Sequence, residues 1–263
     1  MRQFLIRPDA HISLCGHLHA AVADRPVSDA PAFLRGLRVA FACDFHAVAR
    51  TTPEDARALG GKIRGLRPDL ILLGGDYSDC AEHARRLFAQ IGPLEAPLGC
   101  FGVPGNNDRE AWPDPEPLRR AMAGAGCRLL VNESVRIPVG GGALWVAGLD
   151  DAIYGEPRPE GLYPASPAEG VYRVLLAHEP RPVLPAPELI LSGHTHGGQF
   201  NLLGATPYSI GFERLFGRRV CPAAIAGWQD ADGARMLVSK GIGASRIPLR
   251  IGVRPEIELL RFE

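Results

Sequence analysis

Side chains that commonly bind metals follow five short apolar runs in this sequence. These residues are Asp44, His46, Asp76, Asn106, His178, His194 and His196. Carboxylate and imidazole ligands together suit Mn²⁺, Fe or Zn²⁺. In α/β proteins, sites form outside the carboxyl ends of strands, where loops bring ligands from distant positions to one point. The pattern therefore predicts a metal site built from strand ends.

Taken singly, these residues also have structural interpretations. His178 could be a hydrogen-bonded interior histidine, and Asp44 could cap a helix or a turn. The Gly-His-Thr-His sequence at residues 193–196 is more informative, because paired histidines beside glycine have few structural uses. We expect residues 44 and 46, like residues 194 and 196, to leave extended strands with their side chains on one side. Half of the eight histidines follow these apolar runs, which favours a shared metal site.

The elements that must position these residues alternate between apolar strands and helices. Strands are predicted at residues 37–42, 70–73, 99–103, 171–177, 189–191, 236–239 and 256–261, and helices at 52–66, 79–91 and 117–125. Residues 52–55 (TPED) are typical of a helix start, although Gly60 and Gly61 weaken that helix. Three short runs at residues 128–131, 135–139 and 143–147 indicate antiparallel strands. The predicted class is α/β, with two packed sheets and helices outside.

Composition indicates an ordinary globular protein of 263 residues. Its 29 basic and 29 acidic residues cancel, so we expect no nucleic-acid partner. Six scattered cysteines without a Cys-x-x-Cys spacing favour reduced thiols in the cytosol. We find no apolar run of membrane-spanning length and no signal peptide. The expected compartment is the cytoplasm.

The order of the motifs resembles that of the calcineurin-like metallophosphoesterases, whose pattern runs Asp-x-His, Gly-Asp, Gly-Asn-His-Asp/Glu, His, Gly-His-x-His. The matching residues are Asp44-Phe45-His46, Gly75-Asp76, Gly105-Asn106-Asn107-Asp108, His178 and Gly193-His194-Thr195-His196. This match spans residues 37–200. Residues 192–199 and 240–256 also resemble the YkuE/YaeI-type branch of the family. Many members of that branch carry an N-terminal membrane segment, which we do not expect here.

The resemblance implies a fold and a pair of metal ions. The implied fold is a four-layer αββα sandwich of two mixed sheets flanked by helices, with the domain at residues 37–263 and an N-terminal extension at residues 1–36 packing on the core. The implied ligands are Asp44, His46 and His196 for the first ion, Asn106, His178 and His194 for the second, and Asp76 as the bridge. Manganese is the expected metal, with iron, zinc or magnesium as alternatives. Such a pair, about 3.5–4 Å apart, clamps a phosphoryl group while a metal-bound hydroxide attacks in line.

The chain departs from the family pattern at Asn107, where the family has a histidine that is thought to protonate the leaving group. Asparagine delivers no proton, and general acid catalysis is typically worth about 10² to 10⁴ in rate. We therefore expect a phosphodiester or pyrophosphate substrate, nucleotide or lipid-linked, rather than an alkyl monoester. Alternatively, Asp108, Arg109 or a metal-bound water supplies the proton. We predict Asp76, Asn107 and Asp108 as catalytic residues and Arg109 as a substrate-binding residue.

Two other functions stay open at this point. The chain could be a metal-binding scaffold that has lost catalysis, although decayed enzymes usually lose ligands as well. It could also be a nuclease, which the neutral charge disfavours.

Two further segments invite a functional interpretation. Gly16-His17-Leu18-His19 repeats the Gly-His-x-His spelling, but it precedes the first motif strand, and we predict that it binds no metal. Residues 212–219 place Phe212 and Phe216 among three arginines, which end at Arg219. Such a segment could contact a membrane surface peripherally, and the alternative is an ordinary surface loop.

Overall fold

The strands of the computed structural model, which describes residues 11–163, 169–208 and 225–263, form two six-stranded sheets and a ribbon. The first sheet has the strand order β2 (Ala21–Val27), β14 (Glu256–Phe262), β3 (Arg38–Ala42), β4 (Leu70–Leu73), β5 (Cys100–Gly102) and β6 (Arg128–Leu129). The second has the order β11 (Gly227–Ala231), β12 (Ala234–Val238), β10 (Leu189–Ser192), β9 (Val171–Leu176), β8 (Gly142–Gly148) and β7 (Glu133–Val139). The ribbon pairs β1 (Ile12–Leu14) with β13 (Leu249–Ile251).

Both sheets are mixed, and within each sheet the strands that precede the predicted ligands run parallel to one another. In the first sheet β3, β4, β5 and β6 run parallel, whereas β14 is antiparallel to β3. In the second sheet β8, β9, β10 and β12 run parallel, and β7 pairs antiparallel with β8. The antiparallel pairing predicted for residues 135–147 is therefore confirmed. The same prediction was wrong for residues 128–129, because β6 joins the other sheet beside β5.

Four α-helices connect these strands in the described residues, beside two 3₁₀ turns at Ala32–Leu34 and His196–Gly198. The α-helices are α1 (Pro53–Gly65), α2 (Ala81–Gln90), α3 (Asn106–Ala111) and α4 (Glu116–Ala123). The predicted start of α1 is confirmed, since the Thr52 hydroxyl accepts a hydrogen bond from the Asp55 backbone N–H and the Asp55 carboxylate accepts one from the Thr52 N–H. The short helix α3 was not predicted, because its six residues, of which five are polar, carry no apolar periodicity.

The two sheets pack face to face over an apolar core. Phe41 and Leu72 from the first sheet lie in the same buried cluster as Leu144 and Val174 from the second. Helices α1, α2 and α4 cover the outer face of the first sheet. The outer face of the second sheet packs against apolar side chains of irregular segments, including Leu162, Tyr163 and Val183. The predicted arrangement of two mixed sheets in an α/β fold is confirmed.

The predicted N-terminal extension contributes directly to the sheets. Strand β2 pairs in parallel with β14 along seven residues and forms the edge of the first sheet. The domain boundary at residues 36 and 37 stays a prediction. Among the described residues, no helix has both the length and the apolar character that a membrane span requires.

Two adjacent glycines in α1 provide a test of the packing between the helices. A Cβ at Gly60 would lie 1.9 Å from the Ile91 carbonyl oxygen, whereas a Cβ at the exposed Gly61 would meet nothing closer than 4.0 Å. We predict that Gly60→Ala lowers the free energy of unfolding by about 1–3 kcal/mol through overpacking. Gly61→Ala, the matched control, should raise it by up to about 1 kcal/mol. Urea denaturation measures both, and equal effects would contradict the close packing at Gly60.

Candidate metal centre

The predicted ligands lie in loops that directly follow the parallel strands. Asp44 follows β3 and Asp76 follows β4, and the Asp44 backbone N–H donates to the Gly75 carbonyl at 2.9 Å. The His46 N–H donates to the Asp76 carbonyl at 3.0 Å. These bonds continue the strand pairing past the sheet edge. The two loops therefore present their carboxylates side by side.

The backbone at most of these ligands has left-handed rather than extended geometry. Positive φ angles occur at Asp44 (52°), His46 (44°), Asp76 (54°), His194 (68°) and His196 (53°). The prediction that the two i, i+2 pairs leave their strands in extended conformation was therefore wrong. A non-glycine residue in this region costs about 1–3 kcal/mol and persists where its surroundings determine it. The sharp turns direct the side chains towards one another.

Glycines beside the ligands allow this close approach. A Cβ at Gly193 would lie 2.3 Å from the Asp44 Oδ2 atom, and a Cβ at Gly105 would lie 2.2 Å from the Asp76 Oδ1 atom. The glycines in the Gly-Asn and Gly-His sequences are thus required because a side chain would enter the space of a carboxylate.

One group of predicted ligands consists of Asp44, His46 and His196. The Nε2 atoms of His46 and His196 are 3.2 Å apart, and the His196 Nε2 atom is 3.6 Å from the Asp44 Oδ1 atom. One ligand atom from each residue lies within 4.8 Å of the others. All three residues are buried. We name this group the first cluster.

A second group consists of Asn106, His178 and His194. The Asn106 Oδ1 atom is 2.9 Å from the His194 Nδ1 atom, and the rings of His178 and His194 meet edge to face with centroids 5.2 Å apart. Helix α3 positions Asn106 at its first residue, whereas His178 follows β9 and His194 follows β10. We name this group the second cluster.

The Asp76 carboxylate lies between the two clusters. Its Oδ2 atom is 3.4 Å from the Nε2 atom of His46 and 3.4 Å from the Nε2 atom of His178. The Asn107 backbone N–H donates to Asp76 Oδ1 at 2.9 Å, and the Asn107 side-chain amide donates to Oδ2 at 2.6 Å. Asp76 therefore has the position that a bridging ligand needs.

The ionisable side chains of the site favour the binding of a cation. Burial opposes ionisation of Asp76, but His178 and His46 outweigh it and hold the pKa of Asp76 well below its usual value. Burial likewise opposes protonation of His46, yet Asp76 and Asp79 raise its pKa to about 10. Asp76 also raises the pKa of His178 despite its burial. At Asp44, burial prevails over the attraction of His178 and raises the pKa.

The donor set fits divalent metal ions. The His178 Nδ1 atom is 2.7 Å from the Gly74 carbonyl oxygen, whereas its buried Nε2 atom has no hydrogen-bond partner. A backbone carbonyl at Nδ1 is a common arrangement for a histidine that binds metal through the other nitrogen. The His46 Nδ1 atom is 2.5 Å from the Asp79 Oδ1 atom, which leaves Nε2 to face Asp76. Protons and metal ions compete for such nitrogens, and the carboxylates that attract protons here would attract cations.

Arg250 supports the first cluster and was not predicted to have a role. Its side chain is fully buried, and its Nη2 atom is 3.1 Å from the His196 Nδ1 atom, to which it donates. It also donates to the carbonyl oxygens of Gly243 and His196. Burial, His46 and Arg250 hold the pKa of His196 well below its usual value, so this ring is neutral.

Asp79 and Glu179 were also missed by the sequence analysis. Asp79 contacts His46 as described. A carboxylate oxygen of Glu179 and one ring nitrogen from each of His178 and His194 lie within 4.8 Å of one another. Burial and the neighbouring Asp151 carboxylate raise the pKa of Glu179 to about 8. Glu179 directly follows His178, and that adjacency was the only indication the sequence offered.

Asp108 and Arg109 contact other protein groups rather than the space between the clusters. The Asp108 carboxylate accepts backbone N–H groups of Gly105, Asp76 and Tyr77 at 2.8–3.1 Å. Burial and Asp76 raise its pKa to about 8. The Arg109 guanidinium is 2.9 Å from Asp150 and donates to two backbone carbonyls. The catalytic role of Asp108 and the substrate-binding role of Arg109 stay untested predictions, and these contacts are those of groups that hold loops together.

The early Gly-His-Leu-His sequence lies elsewhere. His17 is exposed and its Nδ1 atom is 3.3 Å from the Asp55 Oδ2 atom. His19 lines a cavity of about 550 Å³ with Lys62 and Arg254, and none of the seven predicted ligands lines it. Within the described residues, neither histidine belongs to a group with metal-binding geometry. Residues 212–219, the predicted membrane-contact segment, lie outside the described residues.

Several proteins are similar to this chain over most of its length. Phosphodiesterase YaeI of Escherichia coli (strain K12) is 30% identical over 237 residues, which cover 86% of this chain and 82% of that protein. Metallophosphoesterase YkuE of Bacillus subtilis (strain 168) is 28% identical, over 87% of this chain and 79% of that protein. A transmembrane protein with metallophosphoesterase domain from Bos taurus is 29% identical, over 95% of this chain and 59% of that protein.

The family model described as calcineurin-like phosphoesterase matches residues 37–198. That span contains β3, β4, β5, β9 and β10 together with all seven predicted ligands. The chain therefore belongs to the calcineurin-like phosphoesterase family, and it is a phosphoester hydrolase.

Proposed function

We propose that this protein is a dinuclear metal-dependent hydrolase of phosphodiesters or pyrophosphates. The observation that carries the proposal is the position of Asp76, 3.4 Å from a histidine of each cluster. A carboxylate between two buried sets of N and O donors suits two adjacent divalent ions.

The seven ligands would divide between two ions. Asp44, His46 and His196 would hold the first, Asn106, His178 and His194 the second, and Asp76 both. When bound, the ions would supply Lewis-acid activation of water and neutralise phosphoryl charge. The protein's own contribution is to hold the donors in place, through Asp79 at His46 and the Gly74 carbonyl at His178.

Asn107 limits which leaving groups the enzyme can release. Its backbone and side-chain N–H groups both donate to Asp76, and an amide delivers no proton to a departing oxygen. A substrate with a weakly basic leaving group needs no such proton. An aryl or activated diester, a nucleotide diphosphate or a lipid-linked pyrophosphate fits that requirement better than an alkyl monoester.

Other parts of the proposal rest on composition and on relatives. Manganese is the proposed metal, because mixed carboxylate, amide and imidazole donors suit it, with iron, zinc or magnesium as alternatives. A cytoplasmic location is proposed from the scattered cysteines. Peripheral membrane contact is proposed as well, since two relatives are named transmembrane proteins. Neutral charge disfavours a nuclease.

Metal content tests the dinuclear site. The purified protein should carry about two transition-metal ions per chain by elemental analysis, and chelation should abolish hydrolysis of bis-p-nitrophenyl phosphate with Mn²⁺. Asp76→Asn should lose metal and at least about 10²-fold in turnover, since even outer-shell partners of metal ligands are worth about 10–100-fold. Asp230→Asn, an exposed substitution of the same type, is the control. Full activity of Asp76→Asn with one ion would exclude the dinuclear mechanism, and bound metal without hydrolysis of any phosphoester would indicate a scaffold.

The leaving group tests the role of Asn107. Wild-type rates should fall steeply as the leaving-group pKa rises. Asn107→His should raise the hydrolysis rate of substrates with poor leaving groups by about 10²-fold or more and change the rate with good leaving groups little. The reason is that a proton donor lowers the barrier in proportion to the charge on the departing oxygen. Asn107→Ala, the control, removes the amide contact with Asp76 and should slow all substrates alike. If the wild type cleaves alkyl and aryl phosphates equally well, another group already supplies the proton.

The early histidines test the assignment of the motifs. His17→Ala combined with His19→Ala should leave metal content and hydrolysis unchanged, because these exposed rings join no ligand group among the described residues. Elemental analysis and the same diester assay measure both quantities. Loss of one ion from the double variant would overturn the assignment.

A further inference from the structure

Glu179 is a buried carboxylate beside the second cluster. Only 3% of its surface is exposed, and it directly follows His178 after strand β9. A carboxylate oxygen of Glu179 and a ring nitrogen from each of His178 and His194 all lie within 4.8 Å of one another. The side chain is therefore within reach of an ion that those two histidines would hold.

One of the two oxygens of this carboxylate has no hydrogen-bond partner. The Oε2 atom accepts a hydrogen bond from the Ala152 backbone N–H at 3.1 Å, whereas the buried Oε1 atom has no hydrogen-bond partner. A buried, unpaired carboxylate is costly, and buried charges in proteins are usually paired or coordinate metals.

A second buried carboxylate, that of Asp151, adds to the negative charge that must be compensated beside Glu179. Asp151 is fully buried and lies beside Glu179. Its Oδ2 atom accepts the backbone N–H groups of Ile153 and Tyr154, but its Oδ1 atom has no hydrogen-bond partner. Two neighbouring carboxylates with free oxygens repel each other unless a proton or a cation compensates them.

We propose that Glu179 is an additional ligand of the second metal ion, with the Ala152 backbone N–H holding its other carboxylate oxygen in position. The inference rests on the proposed dinuclear function. The seven ligands supply only two carboxylates, Asp44 and Asp76, against four positive charges on two divalent ions. A carboxylate from Glu179 reduces that excess and gives its unpartnered oxygen a cation.

The additional oxygen also affects which metal is preferred. Asp76, Asn106, His178 and His194 supply four donors to the second ion. Glu179 would raise this number to five. Carboxylate and amide oxygens favour Mn²⁺ or Mg²⁺, whereas four-coordinate sites with nitrogen donors favour Zn²⁺. Glu179 therefore biases the second position towards manganese or magnesium.

Metal titration of Glu179→Gln and Glu179→Ala tests the proposal. Metal-free protein is titrated with Mn²⁺, and bound ions are counted by calorimetry and by the electron paramagnetic resonance of free Mn²⁺. We expect the wild type to bind two ions and the variants to bind the second about 10–100-fold more weakly, the range found for groups that support metal sites. Affinity for the first ion should stay within about twofold. The preference for Mn²⁺ over Zn²⁺ at the second position should fall in both variants.

Controls separate this proposal from general damage. Glu133→Gln makes the same chemical change at a partly exposed carboxylate paired with Arg119 and Arg128, and it should bind both ions like the wild type. Thermal unfolding of the metal-free variants checks their folding. If Glu179→Gln and Glu179→Ala do not fold, Glu179→Asp decides by the same titration, because its shorter side chain draws the carboxylate away from His178 and His194. A weakened second site then supports the proposal, and wild-type affinity contradicts it.

Two outcomes distinguish this inference from the function on which it rests. A wild-type protein that binds fewer than two ions overturns the dinuclear function. A wild-type protein that binds two ions, together with Glu179 variants that bind both with unchanged affinity, overturns only the role of Glu179.

Discussion

The buried carboxylate of Asp76 is the interaction on which the rest of the site depends. It faces an imidazole of each cluster at 3.4 Å and receives two hydrogen bonds from Asn107. Such a group is stable in an apolar interior only if cationic or N–H partners surround it. Its partners come from β3, β5 and β9, which belong to both sheets. The packing of one sheet on the other is therefore also what assembles the site.

The loops around Asp76 are held by polar groups with structural roles. Asp108 accepts the N–H groups of Gly105, Asp76 and Tyr77 and so ties the loop after β4 to the start of α3. Arg250 ties the turn at His196 to the carbonyl of Gly243. Five of the predicted ligands adopt left-handed backbone conformations at a cost of about 1–3 kcal/mol each. Bonds of this kind offset that strain and fix the positions of these side chains.

Asn107 and Glu179 change the properties of a shared family scaffold. Asn107 has no acidic proton to give to a leaving group, but its side-chain amide donates a hydrogen bond to Asp76. Glu179 places further negative charge beside the second cluster. A site with less proton donation and more carboxylate is suited to strong binding of hard cations and to weakly basic leaving groups. These two residues connect the local chemistry of the site to the proposed choice of metal and substrate.

The sequence by itself determined ten of the fourteen described strands, three of the four described α-helices and the seven residues predicted as ligands. These features depend on local properties: apolar runs, the capping residues before α1 and the residue types that follow each strand. Only the tertiary structure decided which side chains meet, since His46 and His196 approach to 3.2 Å from positions 150 residues apart. It also revealed the left-handed turns, the helix α3, the contacts of Asp108 and Arg109, and the positions of Arg250 and Glu179. These depend on contacts between distant segments, and no local pattern of residues encodes them.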